Sequence, residues 1–262
     1  MKRFISSMTA AAPRRFAPLK PGFASSSNAP RLKGIVFDVD GTLCEPQNYM
    51  FSEMRQALGI TKSIDILDHI YALPTKEAQE TAMESIRQIE RTAMASQVAQ
   101  PGLTDLMSYL DRRGVRKGIC TRNFDAPVAH LLGKFLEGSL FEPVVTRDFR
   151  PPKPDPAGIL HIARTWGLVK PAESEAEREP RSGIAPGAEG ALGDASELIM
   201  VGDSIDDMTA GRRAGAATVL LANDVNLHLA DHEHTDLVIH RLDELIPILE
   251  EGFSGRELAF PA

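Results

Sequence analysis

The stretch that decides the fold is "GIVFDVDGTLCEP", Gly34 to Pro46. It opens on a short apolar run, Gly34 to Phe37, and places Asp38 and Asp40 directly after it, two residues apart. A short, β-branched run that is apolar on both sides suits a strand of a parallel sheet covered on both faces. Two like charges at the mouth of such a strand repel each other unless something neutralises them.

Working outward, the same pattern recurs. "VRKGIC" (115–120), "PVVT" (143–146), "LIMVG" (198–202), "ATVLL" (217–221) and "LVI" (237–239) read as further buried strands. Helix-like stretches lie between them at 103–113, 125–136, 155–167, 206–215 and 242–251. The first of these sets Leu106, Met107 and Leu110 on one face and ends on Gly114, a stop signal. Strand and helix in alternation predict an open α/β sheet.

Two insertions interrupt the alternation. Residues 47–99 hold no strand signal; Ile64, Ile66, Leu67, Ile70 and Leu73 recur at helical intervals, and a long polar helix follows with Ala78, Met83, Ile86 and Ile89 as its apolar face. This predicts a small helical module, with the Pro101-Gly102 turn returning the chain to a core of 32–46 and 100–251. The second insertion, 171–196, is rich in Pro, Gly, Ala, Ser and Glu and reads as a flexible surface loop. Residues 252–262 read as a C-terminal tail.

The 262 residues are 43% hydrophobic and 25% charged, which suits one large domain or a core with a smaller partner. A formal net charge of −7 speaks against a nucleic-acid partner, and no apolar run approaches the roughly 18 residues of a membrane helix. Cys44 and Cys120 give no disulfide framework and suit ordinary buried thiols. The charge is unevenly spread: residues 1–30 carry Lys2, Arg3, Arg14, Arg15 and Lys20 but no acid, together with five serines. That is the composition of an organelle transit peptide, and "RRFA", Arg14 to Ala17, resembles a mitochondrial processing site. The expectation is mitochondrial import, with a disordered tail and a cytoplasmic address as the alternative; on either reading, 1–31 lies outside the fold.

Ligands of an open parallel sheet collect at the carboxyl ends of its strands. There the sequence places Asp38 and Asp40 after the first strand, and Thr121, Arg122 and Asn123 after the second. Arg150 and Lys153 follow the third, and Asp203, Ser204, Asp206 and Asp207 the fourth. Clustered hard oxygen ligands without His or Cys point to Mg²⁺, which keeps waters and is completed by a substrate phosphate. A carboxylate there can attack phosphorus, and a Lys and a Thr can serve the phosphate oxygens.

"DVDGT", "CTRN", "KPDP" and "GDSIDD" occur in the order and spacing of the haloacid dehalogenase-like phosphohydrolases, and the resemblance runs from Lys33 to about Glu251. It implies a Rossmann-like core with strand order 5-4-1-2-3, and it makes 47–99 look like the small helical cap of the phosphoglycolate-phosphatase-like branch. By the same resemblance Asp38 is the nucleophile, and Asp40 is the general acid and then base, its backbone carbonyl on Mg²⁺. Thr121 binds the phosphoryl group through hydroxyl and backbone, and Lys153 holds the phosphate. Asp203 ligates the metal and Asp207 supports its shell, with Asp206 competing for that part. Asp40 favours phosphate-ester hydrolysis, since dehalogenases of the superfamily lack this second aspartate. The substrate expected is a small phosphorylated metabolite. A sugar phosphomutase and a non-catalytic regulator of the same fold are the alternatives.

Some residues stay open at this point. Asn123 and Arg122 can touch the phosphate or cap the helix that starts near Asp125. Arg150 is a similar candidate. Tyr49, Phe51, Arg55, Asp65 and His69 are candidates for touching the substrate from the helical module, where packing explains most of them equally well. His228 and His232 are spaced for a shared metal, but no fourth ligand is evident, and an exposed loop reads better.

Overall fold

The computed structural model describes residues 13–22, 28–170 and 193–256. Six parallel strands form one sheet: β1 (Gly34–Phe37), β2 (Arg116–Cys120), β3 (Val144–Val145), β4 (Leu198–Gly202), β5 (Ala217–Leu221) and β6 (Leu237–Ile239). Their order is β3-β2-β1-β4-β5-β6. Five of them stand in the order 5-4-1-2-3, and β6 is added on the outer edge of β5, the one departure from the expected topology. β3 is shorter than predicted, two residues, pairing only as Ile119 with Val144 and Cys120 with Val145.

The strands are buried on both faces because helices cover both. Ile35 and Phe37 point to the side packed by α4 (Leu103–Arg113), α5 (Asp125–Phe135) and α8 (Leu245–Glu251). Val36 and Met200 point to the other, packed by α6 (Ala157–Thr165) and α7 (Ile205–Ala214). This period of two on both faces explains the uninterrupted apolar runs. Phe37 pairs with Ile119 on one side and Val201 on the other. The residues after these strands therefore leave the sheet at one level.

Between β1 and β2 stand three helices, α1 (Asn48–Leu58), α2 (Ile66–Ala72) and α3 (Lys76–Ala95). They enclose a small core of their own, with Met54, Ile70 and Ile86 fully buried. Asp65 caps α2 by accepting from the Leu67 and Asp68 amides, and Thr75 caps α3.

Three stretches expected outside the fold are partly within it. Of 1–31, residues 13–22 pack on the core: Phe16 is buried against Phe253, ring centroids 5.6 Å apart, and the Leu19 amide donates to the Leu249 carbonyl. Of the tail 252–262, residues 252–256 meet that strap, with the Gly255 amide donating to the Arg14 carbonyl at 2.7 Å. Of the loop 171–196, the end is ordered by contact, since Gly193 bridges to Val169 and Ala195 is fully buried. Residues 1–12, 23–27, 171–192 and 257–262 lie outside the described residues. No described helix is long and apolar enough to cross a membrane.

Candidate active site

The chain runs from β1 outward to β2 and β3, then crosses back to β4, so the order reverses between β1 and β4. A crevice forms at such a switch point. Asp38 and Asp203 leave the sheet on either side of it, the Asp38 amide donating to the Val201 carbonyl at 3.0 Å. The turn after β1 must be tight: Gly41 has φ +79°, and a Cβ there would overlap the Asp203 carboxylate. A Cβ on Gly202 would likewise strike Asp207. The glycines of "DVDGT" and "VGDS" thus let carboxylates on different elements close up.

Asp38, Asp203 and Asp207 each offer an oxygen within 4.8 Å of the others, and no other such cluster of acids, His or Cys occurs among the described residues. Lys153 enters from the loop after β3, donating to Asp38 Oδ1 at 2.7 Å and to Asp207 Oδ1. Asp207 also closes the N-terminus of α7 through a capping box with Ser204. Burial alone would pull the Lys153 ammonium down, but Asp207 and Asp38 hold it well above its usual value. Burial, then the negative charges of Asp207 and Asp38, push Asp203 up to about 8. Burial also raises Asp38, against the pull of Lys153. Three carboxylates, those of Asp38 and Asp207 buried and that of Asp203 half-buried, share one ammonium and are short of positive charge, and their donors are all hard oxygens. This donor set fits Mg²⁺.

Asp40 turns away from that cluster. Its Oδ2 accepts from Asn123 Nδ2 at 2.9 Å, and its Oδ1 lies 3.4 Å from the Cys44 thiol. Burial raises its carboxyl above the usual range. Of the two roles left open for it, Asn123 does not cap α5, whose N-cap is Phe124 with no side-chain cap; from the cavity lining it orients Asp40. The Thr121 amide is taken by the Val145 carbonyl at 2.9 Å, so of this residue's expected hydroxyl and backbone contacts only the hydroxyl can serve as a donor. Cys44 and Cys120 are buried, and burial drives both thiols upward, Cys120 to about 12.

A cavity of about 270 Å³ opens over these groups, lined by both the sheet edge and the helical module. Arg122 spans it, ion-paired with Asp65 of the module at 2.5 Å and with Asp206 at 2.8 Å. Asp206 is thereby placed outside the carboxylate cluster and Asp207 inside it. Phe51 and Arg55 line the cavity; Tyr49 and His69 do not. Arg150 stacks on Tyr71, 3.4 Å from the ring centroid, away from the cavity lining. His232 and His234 meet edge to face, and the Nδ1 of each is already in a hydrogen bond.

Two site residues have no counterpart in the sequence reading. Arg147, just beyond β3, donates from Nη2 to Glu90 Oε1 of α3 at 2.7 Å, and both are buried. Burial pushes the Glu90 carboxyl up to about 7, against Arg147. The pair joins residues far apart in sequence, and Arg147 follows "PVVT" so directly that only its place at a strand end could have marked it.

A family model for haloacid dehalogenase-like hydrolases matches residues 32–215. An uncharacterized hydrolase of Saccharomyces cerevisiae is 44% identical over 222 residues, 84% of this chain and 90% of that protein. A haloacid dehalogenase-like hydrolase domain-containing protein of Arabidopsis thaliana is 33% identical over 202 residues, 73% of this chain and 71% of its own. A probable phosphoglycolate phosphatase of Pseudomonas putida is 30% identical over 164 residues, 62% of this chain and 55% of that protein. Among solved structures, a hydrolase from Pseudomonas syringae superposes with a TM-score of 0.59 at 24% identity, covering 84% of this chain and 98% of its own, a likeness of fold. With its motifs at one sheet edge and the family match covering residues 32–215, the chain belongs to the haloacid dehalogenase-like hydrolases.

Proposed function

We propose that the protein is a Mg²⁺-dependent phosphatase that hydrolyses a small phosphomonoester through an aspartyl-phosphate. The observation that carries this reading is the clustering of Asp38, Asp203 and Asp207, two of them held by Lys153, with Asp40 beside the set but outside it. Asp38 and Asp203, with the Asp40 backbone carbonyl, would hold the ion, and Asp207 fixes Lys153 next to it. Bound there, Mg²⁺ offsets the negative charge of carboxylates and phosphate.

The residues divide the chemistry between them. Lys153 steadies the Asp38 carboxylate and the incoming phosphate oxygens, and the Thr121 hydroxyl donates to a phosphoryl oxygen. An Asp38 oxygen attacks phosphorus as the bond to the ester oxygen breaks. Asp40, oriented by Asn123, gives its proton to the departing alkoxide. Asp40 then takes a proton from water, which attacks the aspartyl-phosphate at phosphorus; the bond to Asp38 breaks, releasing inorganic phosphate and restoring both carboxyl groups. The helical module over the cavity limits bulk water.

Relatives that include a probable phosphoglycolate phosphatase support a small phosphorylated substrate. The test is hydrolysis of p-nitrophenyl phosphate with and without Mg²⁺. Activity should require the metal, and Asp38→Asn should remove it; unchanged turnover in that variant overturns the mechanism.

The acid-free, cationic and serine-rich start of the chain supports mitochondrial import. The packing of Phe16 favours a cut upstream of Arg14. N-terminal sequencing of the protein from fractionated cells tests both, and a mature chain that begins beyond Phe16 overturns that placement.

A further inference from the structure

Arg147 is 5% exposed and lines the active-site cavity. Its protein contacts use part of its donor set. Nε donates to the Arg122 carbonyl at 2.6 Å, Nη2 donates to Glu90, and the guanidinium lies 4.0 Å from the centroid of the Phe124 ring. These contacts tie the loop after β3 to the helical module. They leave Nη1, which is buried and has no hydrogen-bond partner. A guanidinium presents five N–H donors, and burying some of them unanswered is costly unless something else accepts.

Arg55, on α1, brings a second cation to the same cavity. Its Nε is also buried without a partner, and no carboxylate among the described residues pairs with it. Arg122, the third arginine of the lining, is fully engaged by Asp65 and Asp206. Lys153 already supplies the cation at the carboxylate cluster. The counter-charge on Arg147 is weak, since burial leaves Glu90 partly protonated near neutrality.

We propose that Arg147, assisted by Arg55, is a specificity-determining residue that binds a second anionic group, a carboxylate or a phosphate, on the leaving alcohol. The inference rests on the phosphomonoesterase reading above. Both carboxylate and phosphate match the guanidinium fork. A cavity of about 270 Å³ restricts the alcohol to a short chain.

The experiment compares kcat/KM for two ester pairs with the Mg²⁺-loaded full chain: phosphoglycolate against 2-hydroxyethyl phosphate, and propane-1,3-diol bisphosphate against its monophosphate. The charged member of at least one pair should be preferred by roughly 10- to 100-fold, and the pair that shows it identifies the anion. Arg147→Gln should collapse that ratio, and Arg55→Gln should reduce it. The wild-type ratio is read before any substitution, so a variant that fails to fold leaves the inference exposed to refutation. An absent preference, or one that survives Arg147→Gln, overturns the inference while hydrolysis of any of the esters upholds the phosphatase reading. Failure to hydrolyse these esters and p-nitrophenyl phosphate alike removes both.

Discussion

Asp40 is held by two side chains, Asn123 at 2.9 Å and Cys44 at 3.4 Å, and neither belongs to the carboxylate cluster. In the proposed mechanism that separation gives its carboxyl a duty distinct from that of Asp38, toward the leaving group rather than the ion. Asp40→Asn should therefore lower kcat for an alkyl phosphate by roughly 10²- to 10⁴-fold, the usual worth of a general acid. In the first turnover, before water attacks the aspartyl-phosphate, the same substitution should slow release of nitrophenolate from p-nitrophenyl phosphate far less, because that anion departs without a proton. Equal first-turnover losses on the two substrates would assign Asp40 to the ground-state architecture. Asp38, Asp40, Thr121, Lys153 and Asp203 were legible in the sequence because each follows a strand, and strand ends of a parallel sheet share one edge. Asn123 was half legible. Its position was evident, but its partner Asp40 is 83 residues away, and only the three-dimensional turn after β2 reveals that it orients the acid.

At the scale of elements, the helical module is fastened to the core by two arginines, Arg122 to Asp65 of α2 and Arg147 to Glu90 of α3. The apolar periodicity announced α2 and α3; α1 was legible only as part of a strandless region, because Met50 and Met54 are too few to mark a stripe. The Glu90 anchor was hidden in an otherwise polar helix. Buried there, its carboxyl is raised from an ordinary 4.5 to about 7, with Arg147 opposing and Asp40 adding to the rise. The folded state therefore keeps a proton that the unfolded chain has released. This contribution is complete below pH 4.5 and is lost as pH climbs through about 7. Glu90→Gln cannot titrate. Its unfolding free energy, from urea denaturation at several pH values, should fall less between pH 5 and 8 than the wild type's, by about 2 kcal/mol. Parallel curves would show that Glu90 is ionised in both states.

For the whole molecule, the first and last described segments, 13–22 and 252–256, meet on one face of the sheet. The strap around Phe16 and the segment around Phe253 close over α8, joined by the Phe16 amide donating to the Phe253 carbonyl at 2.9 Å and by the bridge between Arg15 and Ser254. Composition alone points the other way, since an acid-free, serine-rich stretch carries no periodic signal. A single aromatic finds its partner at the far end of the sequence, which no local pattern can announce. The packing does decide the energetics. Phe16 is 3% exposed and Phe253 2% exposed, whereas the neighbouring Arg15 is exposed. Phe16→Ala should cost about 3 kcal/mol of unfolding free energy, as removal of a buried ring does, and Arg15→Ala less than about 0.5 kcal/mol. Phe253→Ala should cost about as much as Phe16→Ala, yet the double variant should lose less than the two single losses combined, since each ring forfeits the same contact. Strict additivity in urea denaturation would mean that the two rings stabilise the fold through separate neighbours, and that the two segments are not one unit.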